Sequence, residues 1–330
     1  MAVRTITCII FILSFAILGF SQQTACTKDI PVGAISGSGD SFRGLTAADF
    51  SGHIAKTPVA VKTVTFDDGP RRILIVMENG NKVSGNSKKA EAQMLSTMLE
   101  SGRPEDSFGL ILTHGTERAA KFGEQRAKLN ELLSREADAK GGKEIGVLDA
   151  IAEGIDWFGA PQPGDAIIVV AVSLDGRQKT NHKAVAKALE EHHIRMFGFA
   201  MGPVATGSSV ASGTITSTTS QGFAEARPAT GSLIYDTGDE TFFPLTANSG
   251  GLVLGISAST LLPNMDDPKN KQLIVQRARV LVGAATNFYR VQIDPPQLSR
   301  PEDWVLEVRE GIKKIAPQMY LLYPRRLGPC

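Results

Sequence analysis

Residues 71–81 read Arg-Arg-Ile-Leu-Ile-Val-Met-Glu-Asn-Gly-Asn. Five apolar residues, Ile73 to Met77, run without interruption and stop at a polar turn that contains glycine. Beyond the turn, Ala90, Met94, Leu95, Met98 and Leu99 recur at helical spacing. An unbroken apolar strand that feeds a turn and then an amphipathic helix marks a central strand in a parallel sheet covered on both faces. Ligands of such sheets sit at the carboxyl ends of the strands, so a site is expected at 77–87.

The same rhythm extends in both directions. Upstream, 59–66 alternates valine with polar residues, a half-buried strand, and Asp67-Asp68-Gly69-Pro70 turns the chain. Downstream, helices are expected at 86–100, 123–137, 145–158 and 183–193, with strands at 108–113, 166–174 and 194–201. Short connections between alternating strands and helices predict an α/β fold, a doubly wound and mostly parallel sheet of the Rossmann-like kind. At 202 the pattern gives way to a Gly/Ser/Thr-rich insertion, 202–232, whose first eighteen residues carry no charge. A short polar piece, an apolar strand at 252–256 and a helix at 271–286 complete this α/β region, 71–287. Short proline-interrupted strands at 288–293, 304–308 and 319–323 predict a small β extension over 288–330. The stretch 22–70 reads as an exposed lead-in with a second small β extension.

Arg4 precedes an apolar run, Ile6 to Phe20, too short to span a bilayer comfortably, and small residues follow. That pattern reads as a secretory signal, 1–21, cleaved after Ser21. An uncleaved anchor and a lipoprotein acylated at Cys26 are the other readings. Cleavage removes Arg4 alone, which leaves 34 basic against 34 acidic residues. A balanced chain has no basic field for nucleic acid or an anionic membrane. Two cysteines then remain, Cys26 and Cys330, and in an oxidising compartment they are candidates for a disulfide joining the two ends; two free thiols are the alternative.

Laid on this sheet, several residues resemble the von Willebrand factor A-type domain. That family carries an apolar strand ending in Asp-x-Ser-x-Ser, a later threonine, and an aspartate after the fourth strand, which together hold Mg²⁺. Here Ile73 to Val76 form the strand, Met77 takes the aspartate position, and Asn79 and Asn81 take the serine positions. Ile145 falls at the threonine, four residues before Asp149-Ala150, and Asp175 matches the last aspartate. The flanking pieces Gly44-Leu45-Thr46-Ala47-Ala48-Asp49-Phe50, Asp67-Asp68-Gly69-Pro70-Arg71-Arg72 and Pro324-Arg325-Arg326-Leu327 resemble secreted bacterial proteins related to this family.

The resemblance implies a non-catalytic, secreted or periplasmic module that recognises a protein or a cell-envelope ligand. Its binding face would be the strand ends, with Glu78, Asn79, Asn81, Ser84, His114, Lys143 and Asp175. Mg²⁺ wants carboxylate and hydroxyl oxygens in near-octahedral geometry, and methionine and isoleucine offer it neither. A degenerate metal site, and so no cofactor, is the expectation. Mg²⁺ held by Asn79, Asn81 and Asp175 in an adhesion domain is the alternative, as is a metal- or nucleotide-dependent enzyme. The turn 80–87 matches a phosphate-binding loop except that asparagine stands where the lysine belongs, which removes the phosphate's counter-charge. His192-His193 beside Glu190-Glu191 reads as a solvated helix end, since neighbouring side chains diverge by about 100°. Asp149 and Glu153 read as a polar helix face. No Gly-x-Ser-x-Gly elbow is present.

Overall fold

The computed structural model describes residues 26–36, 39–80, 83, 85–136, 142–171, 174, 179–201, 242–255, 265–316 and 319–329. The expected signal, the 202–232 insertion, Asn81, Ser84, Asp175 and Cys330 lie outside the described residues. The first half runs β1 (Lys28–Ile35), β2 (Phe50–Ile54), β3 (Thr57–Asp67), β4 (Arg72–Met77), α1 (Gly85–Ser101), β5 (Ser107–Leu112), β6 (His114–Gly115), β7 (Ala119–Ala120), α2 (Arg126–Glu136), β8 (Lys143–Glu144) and α3 (Val147–Ile155). It continues with β9 (Ala166–Ala171), α4 (His182–Glu191), β10 (Arg195–Ala200), α5 (Phe242–Ser249), β11 (Val253–Gly255) and α6 (Pro268–Thr286). The chain closes with β12 (Phe288–Asp294), β13 (Glu302–Asp303), β14 (Val305–Val308), α7 (Glu310–Ile315), β15 (Tyr320–Leu322) and β16 (Arg326–Leu327).

The strand at 73–77 is central, as its sequence demands. One six-stranded sheet has the order β11-β10-β9-β4-β5-β7, with every pairing parallel except β5 with β7 at the edge. All five apolar residues of β4 are fully buried, and they divide between two cores by strand alternation. Ile73, Ile75 and Met77 join side chains of α1, α2 and α6, whereas Leu74 and Val76 join those of α3, α4 and α5. At roughly 1.5–3 kcal/mol for each buried side chain, this single strand anchors both layers. Helices therefore cover both faces of an α/β sheet. Chain order reverses between β4 and β9, which opens a crevice at their carboxyl ends.

The two terminal extensions are not separate. Residues from both ends build a second six-stranded sheet, all antiparallel, in the order β14-β2-β3-β12-β1-β15. Its two edges meet: β13 pairs with β16, and the Trp304 N–H donates to the Arg325 carbonyl at 3.0 Å. The curled sheet encloses Val32, Phe50, Tyr289, Val291, Trp304 and Tyr323. The expected exposed lead-in is therefore partly a buried strand. In β1, Pro31 stands where the strand has β12 on one side only, and Gly33 lies where a Cβ would come within 3.2 Å of Leu322. Proline and glycine are tolerated at such edge and close-approach positions, yet they give the stretch the look of a loop.

A second difference is α5, a helix where the sequence suggests a short polar piece. The remaining expected helices and strands of the α/β region appear with ends shifted by one to three residues.

The two sheets are joined by buried arginines. The Arg71 and Arg195 guanidiniums lie over the Phe288 ring, 4.5 and 4.4 Å from its centroid. Arg195 donates to the Ala284 and Ala285 carbonyls, while Arg71 and Arg103 donate to that of Thr286. Cations thus cap the carboxyl end of α6, where the helix dipole is negative. Burial, helped by Arg71 alongside, brings Arg195 down to about 9, so it stays a cation at neutral pH.

Candidate functional site

The crevice is built from three connections that leave the sheet at its carboxyl end. After β4 the Glu78 N–H donates to the Val170 carbonyl of β9 at 2.9 Å, which closes the backbone across the switch point. The Thr113 N–H donates to the Met77 carbonyl, and the Ile145 N–H to the Thr113 carbonyl. His114–Gly115 pairs antiparallel with Lys143–Glu144 as a small rim ribbon. Of the residues expected on the face, Glu78, Asn79, His114 and Lys143 are brought to one rim, while Asn81, Ser84 and Asp175 lie outside the described residues.

Their roles differ sharply. Met77 is fully buried in the core shared with Met94 and Met98, so its thioether faces helices and not the crevice. Asn79 is 2% exposed. Its Nδ2 donates to the His114 carbonyl at 2.9 Å, and its Oδ1 accepts from the His114 N–H at 2.8 Å. The side chain mimics a backbone partner and fastens the β5 connection to the β4 connection. His114 is buried as well. Both therefore shape the rim, and the exposed side chains of the ribbon are Lys143 and Glu144.

Met77 thus presents a buried thioether to the core, and Asn79 is an amide committed to backbone. Neither residue fits a hard divalent cation.

Asp149, expected only as part of a polar helix face, and Glu136 do the bracing. Asp149, in the first turn of α3, accepts from the Lys179 N–H at 3.1 Å and the Thr180 N–H at 2.7 Å. Burial would raise its carboxyl, but hydrogen bonds from Thr180, Lys179 and Gly146 hold it below the ordinary value. It thereby fixes the connection after β9. Glu153 points elsewhere, to Arg118 at 2.6 Å. Buried Glu136 accepts from the Thr116 N–H at 2.9 Å. Burial works to raise it, yet that bond and Arg135 depress it overall.

Two glycines are obligatory here. Gly115 has φ +144° and Gly142 φ +113°, and a Cβ on Gly142 would sit 2.6 Å from the Gly115 carbonyl carbon. The positions of Asp149 at a helix start and of glycines in short polar loops were the only sequence signals for these roles.

Residues 28 and 329 also lie together. Cys26 is disulfide-bonded, and Lys28 Nζ donates to the Pro329 carbonyl at 3.0 Å. The other half of the expected bridge, Cys330, is outside the described residues. Among the described residues no helix is long and apolar enough to cross a membrane.

No protein-family profile matches the chain, and no curated protein is similar to it in sequence. Solved structures give partial likenesses, and the fold reading rests on the strand order itself. A von Willebrand factor type A protein from Catenulispora acidiphila is 9% identical at TM-score 0.44, over 93% of this chain and 75% of its own. An aerotolerance-related membrane protein from Bacteroides fragilis is 16% identical at TM-score 0.37, over 64% of this chain and 98% of its own. The SpRpn10 VWA domain is 11% identical at TM-score 0.38, over 59% and 92%. Solved structures to which this chain is similar thus include von Willebrand factor A domains.

Proposed function

We propose that the chain is a doubly wound, von Willebrand factor A-like binding module that acts outside the cytoplasm and performs no catalysis. It recognises a protein or a cell-envelope ligand at the carboxyl-end rim of the α/β sheet, and contact is made without a cation at the tip of β4. One observation carries this reading: the rim is rigid backbone braced from below. Asn79 and Asp149 spend both polar atoms, and Glu136 one carboxylate oxygen, on the main chain of a rim connection. Such pre-organisation lowers the ordering cost of binding a macromolecule. The Asn79 clamp and buried Met77 support a face that works through shape and exposed charge.

The test is a cross-linking pull-down from the native host with the mature chain and a rim variant. Lys143→Glu with Glu144→Lys alters the exposed residues of the ribbon and leaves the braces intact. Loss of a specific cross-linked partner in the variant is the expected result. An unchanged partner set would exclude the rim.

A further inference from the structure

The chain contains a single Asn-Gly step, and it stands just past the tip of β4 as Asn79-Gly80. An asparagine before glycine is the most open setting for attack of a backbone nitrogen on the neighbouring side-chain amide. Glycine has no Cβ to crowd the ring that forms, and it turns readily into the conformation the attack needs. Asparagine is a thermolabile residue, and this step carries latent chemistry of its own.

The fold restrains one partner of that reaction and not the other. Asn79 is held by three hydrogen bonds: its N–H donates to Thr113 Oγ1 at 3.2 Å, and its amide engages both polar atoms of the His114 main chain. The electrophile, Cγ, is therefore fixed against the β5 connection and away from its own backbone. The nucleophile is not fixed. Among the described residues the Gly80 N–H meets no hydrogen-bond acceptor. The clamp on the Asn79 side chain is thus the element that keeps the two groups from reacting.

We propose that Asn79-Gly80 is a deamidation site gated by opening of the rim. When the His114 bonds break, the Gly80 nitrogen forms a bond to Asn79 Cγ. Its proton passes through solvent to the departing amide, the Cγ–Nδ2 bond breaks, and ammonia leaves a succinimide behind. One water then opens the ring to aspartate or isoaspartate, and no other reactant is needed. Neither product can remake the clamp. Aspartate sets a carboxylate oxygen against the His114 carbonyl, and isoaspartate inserts a methylene into the main chain and moves the side chain out of register. The modification is one-way, so a transient opening of the rim becomes a permanent one. It does not depend on what the rim binds.

Peptide mapping by mass spectrometry, after incubation of the mature chain in mildly alkaline buffer with and without urea, tests it. The tryptic peptide 73–82 carries Asn79, and Asn81 before a lysine serves as its internal reference. In urea Asn79 should convert and Asn81 should lag. In native buffer conversion of Asn79 should be slower by roughly tenfold or more, because only the open fraction reacts. Thr113→Val removes the acceptor of the Asn79 N–H, and Gly142→Ala strains the facing loop. Each should raise the native rate roughly threefold or more and leave the rate in urea unchanged. Two variants guard against one that fails to fold, which circular dichroism reports. Gly80→Ala, whose new methyl would meet the far end of the Glu144 side chain at 3.3 Å, should slow conversion in urea roughly tenfold. Equal rates for the wild-type chain in native buffer and urea, no conversion in urea, or native rates unmoved in both folded variants would overturn the proposal.

Discussion

Asn79 and His114 exchange two hydrogen bonds, side-chain amide against peptide, at 2.9 and 2.8 Å. Both partners are buried, so the pair cannot be replaced by water. Asn79→Ala leaves the His114 N–H and carbonyl unsatisfied and should cost about 2–3 kcal/mol. Asn79→Asp should cost a comparable amount, because it sets a carboxylate oxygen against the His114 carbonyl. Urea unfolding measures both, and adding Mg²⁺ to the aspartate variant should restore nothing.

Asp67 is the carboxylate that serves the arginine cluster between the two sheets. It accepts from Arg71 Nη2 at 2.5 Å and is mostly buried. Asp67→Asn removes the ion-pair partner of Arg71, while Asp106, the other carboxylate of the cluster, is paired with Arg103. Removing one partner of a buried pair costs roughly 3 kcal/mol. A loss below about 1 kcal/mol in chemical unfolding would mean that the helix carbonyls alone satisfy both cations.

Acid should unfold the protein through the same carboxylates. Burial acts to raise Asp67, but Arg71 and the Gly69 N–H outweigh it and leave its carboxyl depressed, as Asp149 is. A carboxylate with a lowered folded pKa adds stability that is complete above its unfolded value, near 3.9, and is lost as pH falls through the folded value. Thermal midpoints should therefore hold down to about pH 4 and drop below it. In Asp67→Asn that drop should be shallower.

Gly142→Ala should disturb the rim more than the fold. The new methyl would sit 2.6 Å from Gly115 backbone at a φ that side chains rarely adopt. Strain of this kind costs about 1–3 kcal/mol. Hydrogen exchange at 114–116 and 143–145 should accelerate while β9 and β10 keep their protection.

The mature chain should show no free thiol when denatured without reductant, with Cys26 joined to Cys330. A loop of about three hundred residues closed this way is worth roughly 5–6 kcal/mol in the chain-entropy account. Two titratable thiols would sink the pairing.

Strands buried on both faces announced themselves. The runs in β4, β5, β9 and β10 are legible because nothing polar interrupts them. The strand β1 is hidden by Pro31, acceptable where β12 is its partner on one side only, and by Gly33, required by the close approach of Leu322. For α5, Pro244 in the first turn and the polar Thr246, Asn248 and Ser249 conceal a helix that tertiary packing supports. At the site, spacing pointed to Asn79 but not to its use, since its partner lies thirty-five residues on.

The second sheet puts the first strand beside nearly the last. Lys28 pairs with Ile293 and Gly33 with Leu322, so the two strands that flank β1 do not exist until 288–322 has been synthesised. The strands from β4 to β11 pair only with one another and can assemble earlier. Pairings of such sequence separation are slow to form. The nascent chain thus carries β1 without its sheet partners until β12 emerges, and a stop before β12 leaves β1 and β3 as bare edges open to aggregation.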